Sequence, residues 1–439
     1  MDAWKLWDIT TCLINFRSVL STALEFSKLI EASAAFQPPP PSKAQIDPQR
    51  HELSKSLVDI VIRADIHCVC TQIGGLLRDP VAYQKFANTR DDDAQQLLDL
   101  LQDLLDYPLL DSSIRPVIWK ALLKLSKRSS RHPQCFAIPD LQLTGPVAGG
   151  GFADIWTSNF HNQTVCVKIM RVFETVDVEI LSKAFRKEAI IWRQLAHPNL
   201  LPFIGIFYQD IGTRRRLCLV SPWMENGNIY NYLGSNPVGI NRLTLVFDVA
   251  IGMEHLHSLH LVHGDLKALN ILVTRSGRAV LADFGLASVA MNSKIPALSS
   301  TVHSGGTTRW QAPELLHPDG TRTSFMSDVY AFACVYYEIF TEKVPFFEVA
   351  ESAVVWHVHS GNIPRKLPSI PDNLWPLMEE CWRPEPGKRP LVKDIVARLS
   401  APSIGAVPTN TASDWEPLYT SRFRSSLQEH MLFHFTQQD

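Results

Sequence analysis

The chain has 439 residues, 46% of them hydrophobic and 20% charged, with a formal net charge of −2. That balance suits a soluble globular protein of two or three domains and excludes a strongly basic nucleic-acid binder or a polybasic membrane-surface protein. Eight cysteines in so long a chain make no disulfide framework, which predicts reduced thiols in a cytoplasmic protein.

The N-terminus carries no basic region followed by a clean apolar run, so no secretory signal is expected. Asp8, Arg17, Glu25 and Lys28 interrupt the first apolar segment, so no membrane span is expected either. Trp7, Leu13, Phe16, Leu20, Leu24 and Leu29 recur at roughly helical spacing and predict a helix within 1–36. It ends at Pro38-Pro39-Pro40-Pro41, a stiff linker, and residues 1–50 form this first segment. Residues 51–137 read as a helical region. Its clearest part, 94–105, sets leucines on one face and Asp or Gln on the other. Asp91-Asp92-Asp93 before it is expected to be a solvated loop or helix start. Asp111-Ser112-Ser113 offers N-cap residues for a further helix through Trp119, Leu122, Leu123 and Leu125, with Lys124, Lys127, Arg128 and Arg131 towards its C-terminus. His67-Cys68-Val69-Cys70 has metal-like spacing, but no second pair stands at zinc distance in the sequence, and no metal is expected there.

From residue 138 the pattern changes. Pro146-Val147-Ala148-Gly149-Gly150-Gly151-Phe152-Ala153-Asp154-Ile155 lies between two predicted strands. Glycine there lets backbone approach phosphates and donate N–H bonds with no side chain in the way. Val165-Cys166-Val167-Lys168 follows as a strand with a cation, and Glu188 on a predicted helix is the carboxylate to hold that cation. His263-Gly264-Asp265-Leu266-Lys267-Ala268-Leu269-Asn270 precedes Asp283-Phe284-Gly285. Phosphoryl transfer needs a carboxylate beside the attacking hydroxyl, for which Asp265 is the candidate. It needs oxygen ligands for magnesium, for which Asn270 and Asp283 are candidates. It also needs positive charge near the moving phosphoryl, which Lys267 supplies.

These motifs over 138–399 resemble the eukaryotic protein kinase domain. Later segments share the resemblance: Gly306 to Glu314 is similar to the end of an activation segment, and Ser327-Asp328-Val329 to the start of the central helix whose Asp braces the catalytic loop. Cys381-Trp382-Arg383-Pro384 to Lys388-Arg389-Pro390 is similar to the late element whose arginine would pair with Glu314. The resemblance implies an α+β bilobal fold over 138–400, with a small β-rich lobe carrying one helix and a large helical lobe, preceded by an all-α region. It implies ATP and Mg2+ as cofactors and a protein substrate as partner. Ser221 would be the gatekeeper and 222–224 the hinge. Pro222 would offer only its carbonyl there, and Met224 its N–H for adenine. Ile155, Cys166 and Leu272 would contact the ring.

Lys267 and Thr307 resemble serine/threonine kinases. Arg309 to Glu314, Cys381-Trp382 and His197 to Pro202 resemble the tyrosine-kinase-like group, and within it the expanded kinases of mushroom-forming fungi, which share the His-Gly-Asp variant. Three departures stand out: Ala148 and Ala153 in the glycine loop, Cys166 for the usual alanine, and Gly264 for the arginine that anchors a phosphorylated loop. The last predicts activity that depends little on phosphorylation of Ser299, Ser300, Thr301 or Ser304. The alternative function is a nucleotide-binding pseudokinase or scaffold, with self-association through the N-terminal helices. The tail, 401–439, is expected either to form a short helix over 414–430 or to be mobile.

Overall fold

In the computed structural model the described residues are 69–401, apart from 108–109, 139, 150–152, 162, 171–177, 212–213, 236–238, 284–307 and 318–321. The expected helix within 1–36, the proline linker, His67-Cys68 and the tail helix lie outside them. So do Gly150, Gly151, Phe152, Phe284, Gly285, Thr307 and the four loop hydroxyl residues. The chain divides into two compact units, Met1–Phe136 and Ala137–Asp439.

In the first unit, helical residues 69–78 precede α1 (Pro80–Ala87), α2 (Asp91–Asp106) and α3 (Arg115–Ser129). Asp79 caps α1, its side chain accepting the Ala82 N–H at 2.7 Å. The three aspartates at 91–93 form the first turn of α2, where carboxylates meet the positive end of the helix dipole. All its leucines are buried, but the expected polar face is not wholly solvated: Asp99 and Gln102 are buried too. Asp99 accepts the Gln134 N–H at 2.6 Å and the Gln95 amide at 3.2 Å, so these carboxylate bonds are internal. The expected N-cap of α3 also differs. Asp111 accepts the Ser113 N–H at 2.7 Å and closes a turn ahead of the helix, which begins at Arg115 with Pro116 in its first turn. The Arg115 guanidinium donates to Leu105 O at 2.8 Å, satisfying a carbonyl at the end of α2.

The second unit opens with a five-stranded antiparallel sheet in the order β1-β2-β3-β5-β4. Its strands are β1 (Leu143–Gly149), β2 (Ala153–Phe160), β3 (Gln163–Met170), β4 (Gly205–Ile211) and β5 (Arg214–Pro222). Successive strand residues alternate faces. Val165, Val167, Ile169, Cys218 and Val220 therefore join Phe160 and Ile204 in one apolar cluster. The opposite face receives Cys166 and Lys168 of β3 with their register partners Ser221 and Ile155. One helix, α4 (Val178–Arg193), belongs to this lobe.

The second lobe is helical, with α5 (Ile229–Ser235), α6 (Arg242–Ser258), α7 (Phe325–Thr341), α8 (Glu351–His359), α9 (Trp375–Cys381) and α10 (Val392–Leu399). A short hairpin, β6 (Ile271–Val273) with β7 (Ala279–Leu281), carries the candidate catalytic segments at its two ends. Helix α7 is buried from Ser327 to Ile339 and is the lobe's core. Ser324 and Ser327 cap it reciprocally. The α+β, two-lobed organisation with preceding helices is the one implied by the sequence. Among the described residues no helix is long and apolar enough to cross a membrane.

Candidate active site

Lys168 leaves β3 on the face away from the sheet core, and its Nζ meets two carboxylates. It lies 2.6 Å from Asp283 Oδ1 and 3.7 Å from Glu188 Oε1 on α4. The sequence reading paired Lys168 with Glu188; the structure adds Asp283 as the nearer partner. Burial works against the Lys168 charge, but Asp283 and Glu188 outweigh it and hold the ammonium above the ordinary lysine range. Lost hydration pushes the Asp283 carboxyl up, yet Lys168 outweighs this and holds it below the ordinary carboxylate range. Glu188 is 2% exposed, and burial raises its carboxyl against the pull of Lys168. Asp283 has φ +58°, a left-handed backbone uncommon for non-glycine residues but one that aspartate reaches more readily than most.

The second cluster stands on the loop before β6. Asp265 Oδ2 takes two donors, Lys267 Nζ at 2.9 Å and the Asn270 amide at 2.8 Å. The same amide donates to Asp265 O at 2.7 Å. Asp265 Oδ1 is buried and, among the described residues, accepts no hydrogen bond. A carboxylate oxygen so placed beside a lysine is available to a further donor. The Asn270 amide nitrogen is committed to Asp265, leaving its Oδ1 as a hard oxygen of the kind magnesium takes.

Helix α7 holds this loop. Asp328, 1% exposed, accepts the Gly264 N–H on Oδ1 at 2.8 Å and the His263 N–H on Oδ2 at 2.8 Å. His257 Nε2 reaches the same Oδ2 at 3.0 Å. Gly264 itself takes φ +75°, a left-handed backbone that glycine adopts without a Cβ penalty. His263 is fully buried. Its Nε2–H donates to Ala282 O at 3.1 Å, and its Nδ1 accepts the Asp265 N–H at 3.3 Å. Burial holds that imidazole below its ordinary pKa despite the surrounding carboxylates, and its two bonds space Asp265 from the segment that follows β7.

The remaining candidates lie around the join of the lobes. Ser221 is 4% exposed at the end of β5, opposite Cys166. Burial pushes the Cys166 thiol up to about 11, so it is a neutral, polarisable contact. Met224 is buried, and its N–H donates to no backbone carbonyl among the described residues. Leu272 sits on β6 opposite Val280 and bridges Asn228, just past the hinge. Ile155 is Lys168's partner on β2. Val147 and Gly149 are exposed at the end of β1.

The sequence reading missed Glu338, Arg309 and Trp310 as parts of this neighbourhood. Glu338 is the single charge between Val329 and Thr341, a buried charge in an apolar helix, which was its available signal. Its Oε2 accepts the Ala268 N–H at 3.0 Å and the Trp310 indole N–H at 2.8 Å. Burial pushes its carboxyl up to about 7, opposed by these two donors and by Lys267. Arg309 donates to Glu351 Oε2, Pro345 O, Phe346 O and Val349 O, all within 3.0 Å.

Comparison with known proteins agrees with this geometry. The family model for protein tyrosine and serine/threonine kinase matches residues 141–399. The serine/threonine-protein kinase STY17 of Arabidopsis thaliana is 29% identical over 285 residues, covering 61% of this chain and 48% of that protein. The serine/threonine-protein kinase CTR1 of the same plant is 31% identical over 286 residues, covering 63% and 33%. Mitogen-activated protein kinase kinase kinase 12 of Rattus norvegicus is 29% identical over 275 residues, covering 62% and 28%. The chain thus spans less than half the length of each of these relatives. With more than half of its residues matched by the family model, the chain belongs to the protein tyrosine and serine/threonine kinase family.

Proposed function

We propose that the protein transfers the γ-phosphate of ATP to serine or threonine hydroxyls of protein substrates. The observation that carries this reading is Asp265, held on Oδ2 by Lys267 and Asn270 while Oδ1 is buried without a partner among the described residues. A substrate hydroxyl donates to that free oxygen. As the hydroxyl oxygen bonds to the γ-phosphorus and the bond to the ADP oxygen breaks, Asp265 takes the proton and Lys267 offsets charge on the phosphoryl oxygens. Lys168 grips the nucleotide phosphates and Glu188 keeps its ammonium in place. Asn270 and Asp283 are the residues that would hold magnesium, which when bound neutralises phosphate charge. Val147, Gly149, Gly150, Gly151 and Phe152 cover the phosphates. Ser221, Met224, Ile155, Cys166 and Leu272 frame the adenine. The serine/threonine preference follows Lys267, and the names of the relatives support it. Arg309 to Glu314, Cys381-Trp382 and His197 to Pro202 support, in our reading, the tyrosine-kinase-like group, and the His-Gly-Asp variant with a helical N-terminal segment supports a likeness to the expanded kinases of mushroom-forming fungi.

We also infer that activity needs little phosphorylation of the activation loop. Gly264 leaves no guanidinium at the usual phosphate anchor, and its N–H is already committed to Asp328. The segment after the loop is clamped without any phosphate, through the four bonds of Arg309 and through Trp310.

The test is transfer of radiolabelled γ-phosphate by the full chain with magnesium to generic acceptors and to itself, with Asp283→Asn beside it. Phosphoserine or phosphothreonine that disappears in Asp283→Asn is the expected result. No transfer, with thermal stabilisation by Mg-ATP, overturns the enzyme reading in favour of a nucleotide-binding pseudokinase.

A further inference from the structure

Glu338 has no place in the mechanism above, yet it touches both segments that must stay in register for it to work. It stands near the C-terminus of α7 and is 3% exposed. One oxygen, Oε2, accepts from two separate segments: the Ala268 N–H at 3.0 Å and the Trp310 indole N–H at 2.8 Å. Ala268 lies in the turn between Lys267 and Asn270, so displacing its N–H displaces both. Trp310 closes the segment that Arg309 clamps to the loop at 345–349. Among the described residues neither N–H has another acceptor, and both residues are buried, Ala268 at 1% and Trp310 at 7% exposed. A single acceptor for two donors leaves only a few tenths of an ångström of play before one bond is lost.

We propose that Glu338 is a positioning residue for phosphoryl transfer: its Oε2 sets the register between the catalytic loop and the segment that follows the activation loop. This rests on the kinase reading for its catalytic consequence, but the register itself is a property of the fold. Helix α7 thereby holds the catalytic loop at two points. Asp328 fixes the residues before Asp265, and Glu338 those after Lys267.

The experiment uses the full chain with Glu338→Leu, Glu338→Gln and Trp310→Phe. Glu338→Leu removes the acceptor and should lower kcat per folded molecule about 10- to 100-fold, while KM for ATP, set far away by Lys168 and the hinge, stays within about twofold. Glu338→Gln keeps a carbonyl oxygen for the two donors and should recover activity to within about fivefold of wild type. Trp310→Phe leaves the Ala268 bond in place and should fall between the two. Placed on Glu338→Leu it should add nothing. A folded Glu338→Leu with kcat within about twofold of wild type, or a loss confined to thermal stability, overturns the proposal. If Glu338→Leu does not fold, Glu338→Gln decides, because damage there as deep as loss of Asp265 also overturns it. A wild type that transfers no phosphate defeats the kinase reading alone. The register is then read by hydrogen exchange over 266–270 and by the Trp310 indole proton resonance. Both should change in Glu338→Leu, and unchanged values refute the coupling.

Discussion

Arg389 is the sharpest test of how the helical lobe is held together. A guanidinium has five N–H donors, and here every one is occupied. Nε donates to Arg383 O at 2.8 Å, Nη1 to Glu314 Oε1 at 2.7 Å and Met326 O at 2.8 Å, and Nη2 to Glu314 Oε2 at 2.8 Å and Pro384 O at 3.1 Å. The residue is 4% exposed, and its guanidinium carbon lies 5.3 Å from the centre of the Tyr330 ring. Arg389→Ala leaves the Glu314 carboxylate without its counter-charge and takes one donor from each of three carbonyls. Breaking a buried pair of this kind costs about 3–5 kcal/mol, equivalent to a thermal midpoint lower by roughly 8–15 °C for a domain of this size. Arg389→Lys keeps the charge but has three donors and no fork, so at least two acceptors are lost, for about 1–3 kcal/mol. Glu314→Gln keeps the acceptor geometry on one side and should cost less than Arg389→Ala. Native-state hydrogen exchange over 325–341 reports the opening of this lobe directly, whatever the helical unit at 69–136 does. Protection in Arg389→Ala lower by less than about 1 kcal/mol would refute the account, as would Arg389→Lys indistinguishable from wild type.

Three further outcomes follow from other parts of the structure. Burial, helped by His255 stacked at 4.7 Å between ring centroids, pushes the His197 imidazole down to about 4. A group that folds neutral contributes stability above its unfolded pKa of about 6.5 and loses it as pH falls through the folded value. Between pH 7.5 and 5 the wild type should therefore lose about 1–2 kcal/mol from this site. His197→Asn, which retains an acceptor for the Asn199 N–H, should show a shallower fall in melting temperature; equal falls refute the assignment. Gly252→Ala should destabilise by about 1–3 kcal/mol, because a Cβ there would meet Asn199 O at 2.8 Å and Leu281 Cδ1 at 3.1 Å. That oxygen is pinned by the Leu281 N–H at 2.9 Å, so the usual helical gain of alanine over glycine loses; a raised thermal midpoint would refute it. Alanine at Ser299, Ser300, Thr301 and Ser304 together should leave peptide phosphorylation nearly intact, and a loss greater than about tenfold would sink the idea of phosphorylation-independent activity.

Much of the candidate site was legible in the residue order, because phosphoryl transfer restricts which side chains can serve. Asp265, Lys267 and Asn270 lie within six positions of one another, and a loop that short brings them together whatever surrounds it. The strand at Val165-Cys166-Val167-Lys168 was legible too, whereas the face on which Lys168 stands, away from Val167 and Ile169, came with the sheet. The strong apolar pattern of 94–105 predicted a helix, though not that Asp99 and Gln102 would be buried with the leucines. Contacts between residues far apart in the chain were read only where the family resemblance implied them, as for Asp328 bracing the catalytic loop and Arg389 pairing with Glu314. Lys168 meeting Asp283 more closely than Glu188 and Glu338 bridging Ala268 to Trp310 were not read, because they join segments whose relative placement comes from packing. Nor could the α3 cap be read, since Asp111 had the chemistry for an N-cap and used it one turn early. Local chemistry and periodicity are written residue by residue, whereas a buried carboxylate finds its donors only after the helices and sheet have closed around it and excluded water.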